Sequence, residues 1–411
     1  MLNQMKLERL NAFALDELYN NILPFWMTKV KDVTTGGYHG AFLPDNTPDL
    51  SASRVLILNA RILWTYSSAY RVLKDKAFLE EAWYAYRYFM KHFWDEKNGG
   101  AYYSVKADGS PDLTYKLVYG QAFAIYGLSE FYRVSGHEPA LKDAVTLYEK
   151  LEEVALDKVN GGYWECFSED WSERTDNLRS LSHEATKSMN THLHLIEAYT
   201  SLLRVYPTQK MKEDATRHFH IMTKKILNQH SGHYYMYLQD NWEHTNLWES
   251  YGHDIEGSWL MNECAHVIGD KALIEESEKI AVSIAKACMK SIMPDGSMLD
   301  EGTPDGKFKD ITRVWWIQAE NVVGMLNAWQ SCGNTLYLDT AVNQAMYIRK
   351  FMSDRIDGEW FGSLDENGKP EKFHNTKVDG WKCPYHNARM ALEIVERVET
   401  LKDKGQPVEL T

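Results

Sequence analysis

Cysteine is scarce in this chain. Five residues (Cys166, Cys264, Cys288, Cys332, Cys383) are scattered through 411. They form no CxxC pair and cannot all pair with one another, so reduced thiols in a cytoplasmic protein are expected. Long apolar runs are missing too: none approaches the roughly 20 residues that span a bilayer. Met1 to Arg9 carries charge where a signal peptide would place an apolar core. Basic charge is in deficit, 45 Lys and Arg against 58 Asp and Glu, which argues against a nucleic-acid surface. No Gly-rich loop opens a strand-to-helix turn and no GxSxG elbow is present, so nucleotide-cofactor and serine-nucleophile chemistries lack support. No Pro/Gly/Ser-rich linker divides the chain, although its length alone would suggest more than one domain at roughly 150 residues each.

Aromatic residues are abundant. The 14 Trp, 24 Tyr and 14 Phe make up 13% of the chain, which rules out disorder. Such a surplus serves either an aromatic-rich core or flat faces for sugar rings.

A glycine-aromatic element recurs along the chain. Gly36-Gly37-Tyr38, Gly99-Gly100-Ala101-Tyr102 and Gly161-Gly162-Tyr163-Trp164 are followed by degraded copies at Gly232-His233-Tyr234, Asp295-Gly296-Ser297 and Asp357-Gly358-Glu359-Trp360. From Gly37 through Gly100, Gly162, Gly232 and Gly296 to Gly358 the spacings are 63, 62, 70, 64 and 62. Glycine before a β-forming aromatic reads as a tight turn entering a short strand. Between the turns lie helix pairs: Ile57 to Leu73 with Phe78 to Trp94, Val118 to Ser135 with Pro139 to Leu156, and Met189 to Tyr206 with Lys210 to Leu227. Ile255 to Gly269 with Lys271 to Ile292 and Trp316 to Cys332 with Tyr337 to Asp354 follow. The last helix, Tyr385 to Leu401, lacks a successor, and the N-terminal Leu7 to Met27 is expected to fill that slot.

Members of a pair differ in kind. Val118 to Ser135 has two charged residues and its successor six; Ile255 to Gly269 has two and its successor seven. A helix apolar nearly all round is buried, and one with a charged stripe lies at the surface. Six buried helices alternating with six surface helices in one unbroken period predict an all-α fold: an (α/α)6 barrel of twelve helices with short β-hairpin or loop elements at one end. Residues 1–411 are expected to form a single domain. A linear helical solenoid is the competing architecture.

A buried helix should be apolar, so polar residues near its start need explaining. They are Arg61; Tyr119 and Gln121; Asn190 and His194; His253 and Glu256; Trp316, Gln318 and Glu320; and His386 with Asn387. In a closed barrel the inner helices run parallel and all six sets converge at one mouth. Helix capping accounts for Asn190 and Asp254, but not for three histidines, an arginine and a tryptophan. His253 and Glu256, three apart, share a helical face, with Glu256 placed to orient the imidazole. His183, His192 and His194 could suggest metal, but residues two apart on a helix face different ways, so no metal is expected.

Glu256, Glu320 and Asp254 leave glycoside hydrolysis open by residue type. Imidazoles fit proton transfer at carbon better, because a pKa near 6.5 lets one ring accept and another donate at neutral pH. Arg61 would hold an oxygen as negative charge develops, and Trp316 and Trp381 offer faces for a pyranose ring.

Four motifs in order, Met189-Asn190-Thr191-His192-Leu193-His194-Leu195-Ile196-Glu197-Ala198-Tyr199, Tyr251-Gly252-His253-Asp254-Ile255-Glu256, Arg313-Val314-Trp315-Trp316-Ile317-Gln318-Ala319-Glu320 and Trp381-Lys382-Cys383-Pro384-Tyr385-His386-Asn387, resemble the cellobiose 2-epimerases of the N-acylglucosamine 2-epimerase superfamily. The resemblance runs essentially end to end. It implies an (α/α)6 barrel and C2 epimerisation of the reducing-end sugar of a β-1,4-linked disaccharide, without metal or nucleotide. Cellobiose would give glucosyl-mannose and lactose would give epilactose. By motif match, His386 and His253 resemble the acid/base pair working through a cis-enediolate. His194 and Arg61 match groups that assist ring opening and steady the oxyanion. Tyr119, Asn190 and Glu256 match positions that hold or orient these groups, Trp316 and Trp381 match the stacking aromatics, and Glu320 is expected among the substrate-binding residues. His192 has no counterpart role, and Arg179 to Lys187 departs from the family pattern. Mannobiose 2-epimerase, N-acylglucosamine 2-epimerase and mannose isomerase activities are the alternatives within the superfamily. A hydrolase on the same barrel and a non-catalytic sugar binder are the rivals outside it. A monomer or weak homodimer is expected.

Overall fold

The computed structural model describes residues 2–175, 185–245, 248–371 and 375–403. Its twelve long helices, in chain order, are α1 (Leu2–Glu17), α2 (Leu56–Leu73), α3 (Lys76–His92), α4 (Val118–Ser135), α5 (Glu138–Lys150) and α6 (Met189–Val205). They continue as α7 (Gln209–Ile221), α8 (Tyr251–Ile268), α9 (Lys271–Cys288), α10 (Trp315–Cys332), α11 (Thr335–Tyr347) and α12 (His386–Asp403). The even-numbered helices are the more deeply buried ones. Every residue of α4 from Val118 to Phe131 is buried, whereas α3 buries one stripe that includes Phe78, Ala82, Ala85 and Phe89.

Each even-numbered helix packs against the next, from α2 to α4 and on to α12, and α12 packs back on α2. That last contact closes the ring. A linear solenoid would leave it unmade, so the architecture is the (α/α)6 barrel. The N-terminal helix fills the outer slot, packing on α12 and α11. No described helix is long and apolar enough to cross a membrane, and all five cysteines are free thiols.

The glycine elements form hairpins between each outer helix and the next inner one. Lys31 pairs with Tyr38, Trp94 with Ala101, Leu156 with Tyr163, Leu227 with Tyr234, Ile292 with Met298 and Ser353 with Trp360. Gly37, Gly100, Gly162, Gly232, Gly296 and Gly358 all have positive φ, which explains why glycine recurs there. In the sixth hairpin Glu359 takes a second left-handed position, at φ 64°. Its buried carboxylate accepts from Trp26 Nε1 (2.6 Å), Lys382 Nζ (2.8 Å) and Asn387 Nδ2 (2.6 Å), which offsets the backbone strain.

Inner helices hold the hairpins by one repeated device. Three residues beyond the first residue of α4, α6, α8 and α10, a side chain caps the hairpin backbone. Gln121 binds both N and O of Ala101, each at 2.8 Å, and Gln318 does the same for Met298. His192 Nε2 accepts from Tyr163 N at 3.0 Å, and Asp254 Oδ1 from Tyr234 N at 2.8 Å. These bonds satisfy backbone groups that burial would otherwise leave unpaired.

Several sequence-based expectations change accordingly. Gln121, Gln318 and Asn387 serve the hairpins rather than the mouth. Asp254 is not a helix cap, because α8 starts at Tyr251, one turn earlier than the apolar pattern suggested. Nor is Asn190: the cap of α6 is Ser188, whose hydroxyl accepts from Thr191 N at 3.1 Å.

The second hairpin supplies an internal test. Gly99 and Gly100 share a φ of 76°, but a Cβ at Gly99 meets open space, whereas one at Gly100 falls 2.8 Å from Gln121 Oε1 and from the Trp171 ring. Gly99→Ala should cost only the left-handed backbone penalty, about 1–2 kcal/mol. Gly100→Ala should cost about 1–3 kcal/mol more through overpacking. Denaturant unfolding of the two variants measures the difference, and equal losses would contradict the anchoring role of Gln121.

Candidate active site

All inner helices run the same way, so their N-termini meet at the hairpin end of the barrel. Their sequences are in register there. Five residues beyond the first residue of α2, α4, α6, α8 and α10 stand Arg61, Phe123, His194, Glu256 and Glu320. In α12 the buried cation is Arg389, three residues beyond the first. One residue beyond the first stand Tyr119, Asn190 and Trp316.

These side chains enclose a cavity of about 240 Å³ lined by Arg61, Tyr119, Asn190, His194, His253, Glu256, Trp315, Trp316, Trp381 and His386. Nine of the ten residues singled out in the sequence line it. The tenth, Glu320, stands behind His386 and accepts from its Nδ1 at 2.7 Å. His183 lies outside the described residues, as does most of Arg179 to Lys187. His192 turns to its hairpin and His194 to the cavity, so the two do not share a ligand.

Each histidine has its own partner. His386 leans on Glu320, His194 Nδ1 on Glu197 Oε2 at 2.9 Å, and His253 Nδ1 on Ser250 Oγ at 2.7 Å. The hydroxyl of Ser250, not Glu256, therefore orients His253. With Nδ1–H donated to a carboxylate, the ring of His386 presents its Nε2 lone pair. Burial holds all three rings neutral. It lowers His253 to about 3, and the neighbouring His194 ring works in the same direction. It lowers His194 to about 4 despite Glu197. His386 lies well below its ordinary value through burial first, then Arg61 and Arg389.

Arg61 is the cation of the cavity. Its guanidinium donates to Tyr119 OH at 2.9 Å and to Trp381 O at 3.3 Å, and stacks 4.2 Å from the Phe123 ring and 4.6 Å from that of Tyr385. Among the described residues no carboxylate pairs with it, so its charge is available to a ligand. Asn190 Oδ1 likewise has no partner.

The aromatic walls differ in exposure. Trp381 is 51% exposed at the mouth. Trp316 packs 4.8 Å from His253, over Gly252, where a Cβ would meet its ring at 2.6 Å. Beyond these tryptophans a second cavity of about 410 Å³ is lined by Trp315, Trp316 and Trp381 together with Asp310, Thr312, Thr376 and Asp379.

Below the first cavity lie residues that sequence reasoning did not single out. Arg389, fully buried, donates to Glu197, Glu256 and Tyr385 and, at 2.7 Å, to Glu320. Tyr385 OH donates to Glu197. The one cluster with metal-ligand spacing among the described residues, Glu256, Glu320 and His386, already holds this guanidinium on both carboxylates. One signal for these residues was present: Glu197 follows His194 by three on one helical face.

Comparisons with known proteins identify the family. Residues 36–389 match the N-acylglucosamine 2-epimerase (GlcNAc 2-epimerase) family. The cellobiose 2-epimerase of Bacteroides fragilis is 38% identical over 92% of this chain and 97% of its own. That of Dictyoglomus turgidum is 36% identical over 96% and 100%. The solved structure of cellobiose 2-epimerase from Bacillus thermoamylovorans superposes with a TM-score of 0.88 at 37% identity, covering 94% of this chain and 99% of that one. A closed ring of helices, a mouth of imidazoles and tryptophans and these likenesses lead to one conclusion: the chain belongs to the N-acylglucosamine 2-epimerase family and is a sugar epimerase, an isomerase acting on carbohydrates.

Proposed function

We propose that the protein inverts C2 of the reducing-end sugar of a β-1,4-linked disaccharide, by removing the C2 proton and returning it through a cis-enediolate. The observation that carries this reading is the convergence of two neutral imidazoles, His253 from α8 and His386 from α12, on a cavity that also holds the unpaired guanidinium of Arg61. The names of the relatives favour cellobiose, with lactose and mannobiose as the competing substrates.

The chemistry follows from the groups in place. A reducing sugar must first open, because only the aldehyde at C1 makes the C2 proton acidic. His194 and Arg61 attend that step. One imidazole then takes the C2 proton and leaves an enediolate, whose negative oxygen Arg61 stabilises. Inversion requires a proton on the opposite face, which the second imidazole delivers after taking up the proton that the first ring gives back, directly or through water, so that both rings end the cycle neutral. One proton leaves and one returns, so no oxidant enters. Trp316 and Trp381 hold the rings by stacking. The second cavity, sharing both tryptophans, takes the non-reducing sugar.

Hydrolysis fits the site less well. Its two carboxylic side chains would have to flank the scissile bond, but Glu256 and Glu320 both bind Arg389, and Glu320 lies behind His386.

Product analysis across cellobiose, lactose, mannobiose, N-acetylglucosamine and mannose tests the reading, with free glucose from cellobiose as the sign of a hydrolase. In deuterated water the epimerised product should carry deuterium at C2; product without label would point to hydride or intramolecular transfer. His253→Asn and His386→Asn should each lower epimerisation on the order of 10²–10⁴-fold, while each retains sugar binding. Near-normal turnover in both would leave the carboxylates as the candidates.

Two further outcomes follow from burial and exposure. Because His386 is held neutral well below pH 6.5, kcat/KM should stay flat as pH falls from 7 to below 6, since the free enzyme's base is not yet protonated. An acid limb near 6.5 would contradict that environment. Trp381, exposed at the mouth, should tolerate Trp381→Ala with little change in Tm but a raised KM. A lost cooperative transition would make it structural instead.

A further inference from the structure

Three carboxylates from three inner helices converge on one guanidinium from a fourth. Arg389 Nη1 meets Glu197 and Nη2 meets Glu256 and Glu320, and the guanidinium carbon stands 4.2 Å from the Tyr385 ring and 4.8 Å from that of Trp259. Arg389 does not line the cavity, yet two of its partners are the groups on which histidines of the cavity lean. Glu320 holds His386 and Glu197 holds His194.

We propose that Arg389 is a positioning residue for epimerisation, clamping Glu320 and Glu197 as anions so that both orient their histidines with the Nε2 edge toward substrate. The proposal rests on the reading of His386 as a proton-transfer group. The geometry explains why arginine is needed. Its fork presents separate nitrogens to Glu197 and to the Glu256–Glu320 pair at fixed angles, which a lysine ammonium cannot do. The stacked aromatic faces fix the plane of the fork.

The electrostatics run the same way. Three buried carboxylates share one guanidinium. Burial and then Glu320 push Glu256 up to about 8. Glu320 is raised by burial, with Arg389 opposing. Glu197 stays low, at about 2, because Arg389 and His194 overcome its burial. The charged and titratable groups facing the cluster are His194 and Glu197 on α6, His253 and Glu256 on α8, His386 on α12 and Arg61 on α2, with the phenols of Tyr119 and Tyr126 on α4. Without the Arg389 cation Glu320 would take up a proton. It would then donate to His386 Nδ1 and turn the Nε2–H toward substrate, so that the base is lost. Wrong-tautomer defects of this kind in other enzymes cost up to about 10⁴-fold.

The test is the acid limb of kcat/KM on epimerised substrate in Arg389→Met, Arg389→Lys and Glu197→Gln, with His386→Asn as control. Arg389→Met should lower kcat on the order of 10²-fold or more and move the limb up by about one pH unit. Arg389→Lys, which keeps the charge and loses the fork, should move it up less, with KM little changed. Glu197→Gln removes a competing anion and should move the limb down. If Arg389→Met fails to fold, the opposite shifts of the other two still decide. A lowered Tm with an unmoved limb in Arg389→Lys and Glu197→Gln would mean packing alone and overturn the proposal. Should His386→Asn epimerise normally, the reading of the site fails; a dead His386→Asn beside unmoved limbs overturns only the role of Arg389.

Discussion

Closing six helices into a ring removes water from every side chain that points to the common axis. An ionisable group placed there must be paired or held neutral, because an isolated buried charge is too costly to keep. The site reflects this constraint throughout. The three histidines are neutral because they are desolvated. The carboxylates survive by sharing Arg389, and Arg61 is accommodated by aromatic faces and a phenol. Hydrophobic closure thus creates the low-dielectric setting in which the imidazoles stay neutral and each buried charge is felt strongly by its neighbours.

The hairpins connect this setting to the repeat. Four of them tie the end of an outer helix to the start of the next inner one through Gln121, His192, Asp254 or Gln318. Polar residues at the mouth therefore do two jobs on neighbouring positions of the same turn. Those three residues beyond the helix start bind backbone and hold the rim. Those two or five beyond it, such as His253, His194 and Glu256, turn inward to the cavity or its floor. A histidine in this region consequently faces its hairpin or the cavity according to its helical phase, as the contrast between His192 and His194 shows.

Much of this was legible in the residues. The glycine period located the hairpins, because a left-handed turn needs glycine whatever surrounds it. Charge counts separated inner from outer helices in five of the six pairs, because burial tolerates few unpaired charges; Tyr385 to Leu401, with five against four in Leu7 to Met27, is the exception. Helical phase together with family motifs brought nine of the ten singled-out residues to one cavity. Misreadings arose where a polar side chain had two plausible uses. Asn190 and Asp254 read as caps, and Gln121, Gln318 and Asn387 as rim groups, because a one-dimensional pattern does not say which hairpin lies within reach.

Composition, period and helical phase by themselves determined a twelve-helix barrel with histidines, tryptophans and an arginine at one end. These properties depend on local backbone preference and on the burial of each helix separately. Which carboxylate serves which histidine was decided only by the tertiary structure. Ser250 rather than Glu256 orients His253, Glu320 stands behind His386, and Arg389 gathers Glu197, Glu256 and Glu320, residues more than a hundred positions away in the chain from their shared partner in two of three cases. Such pairings are set by the angle at which neighbouring helices meet and by the few ångströms over which a buried charge finds its counter-charge, and neither quantity is written in any single helix.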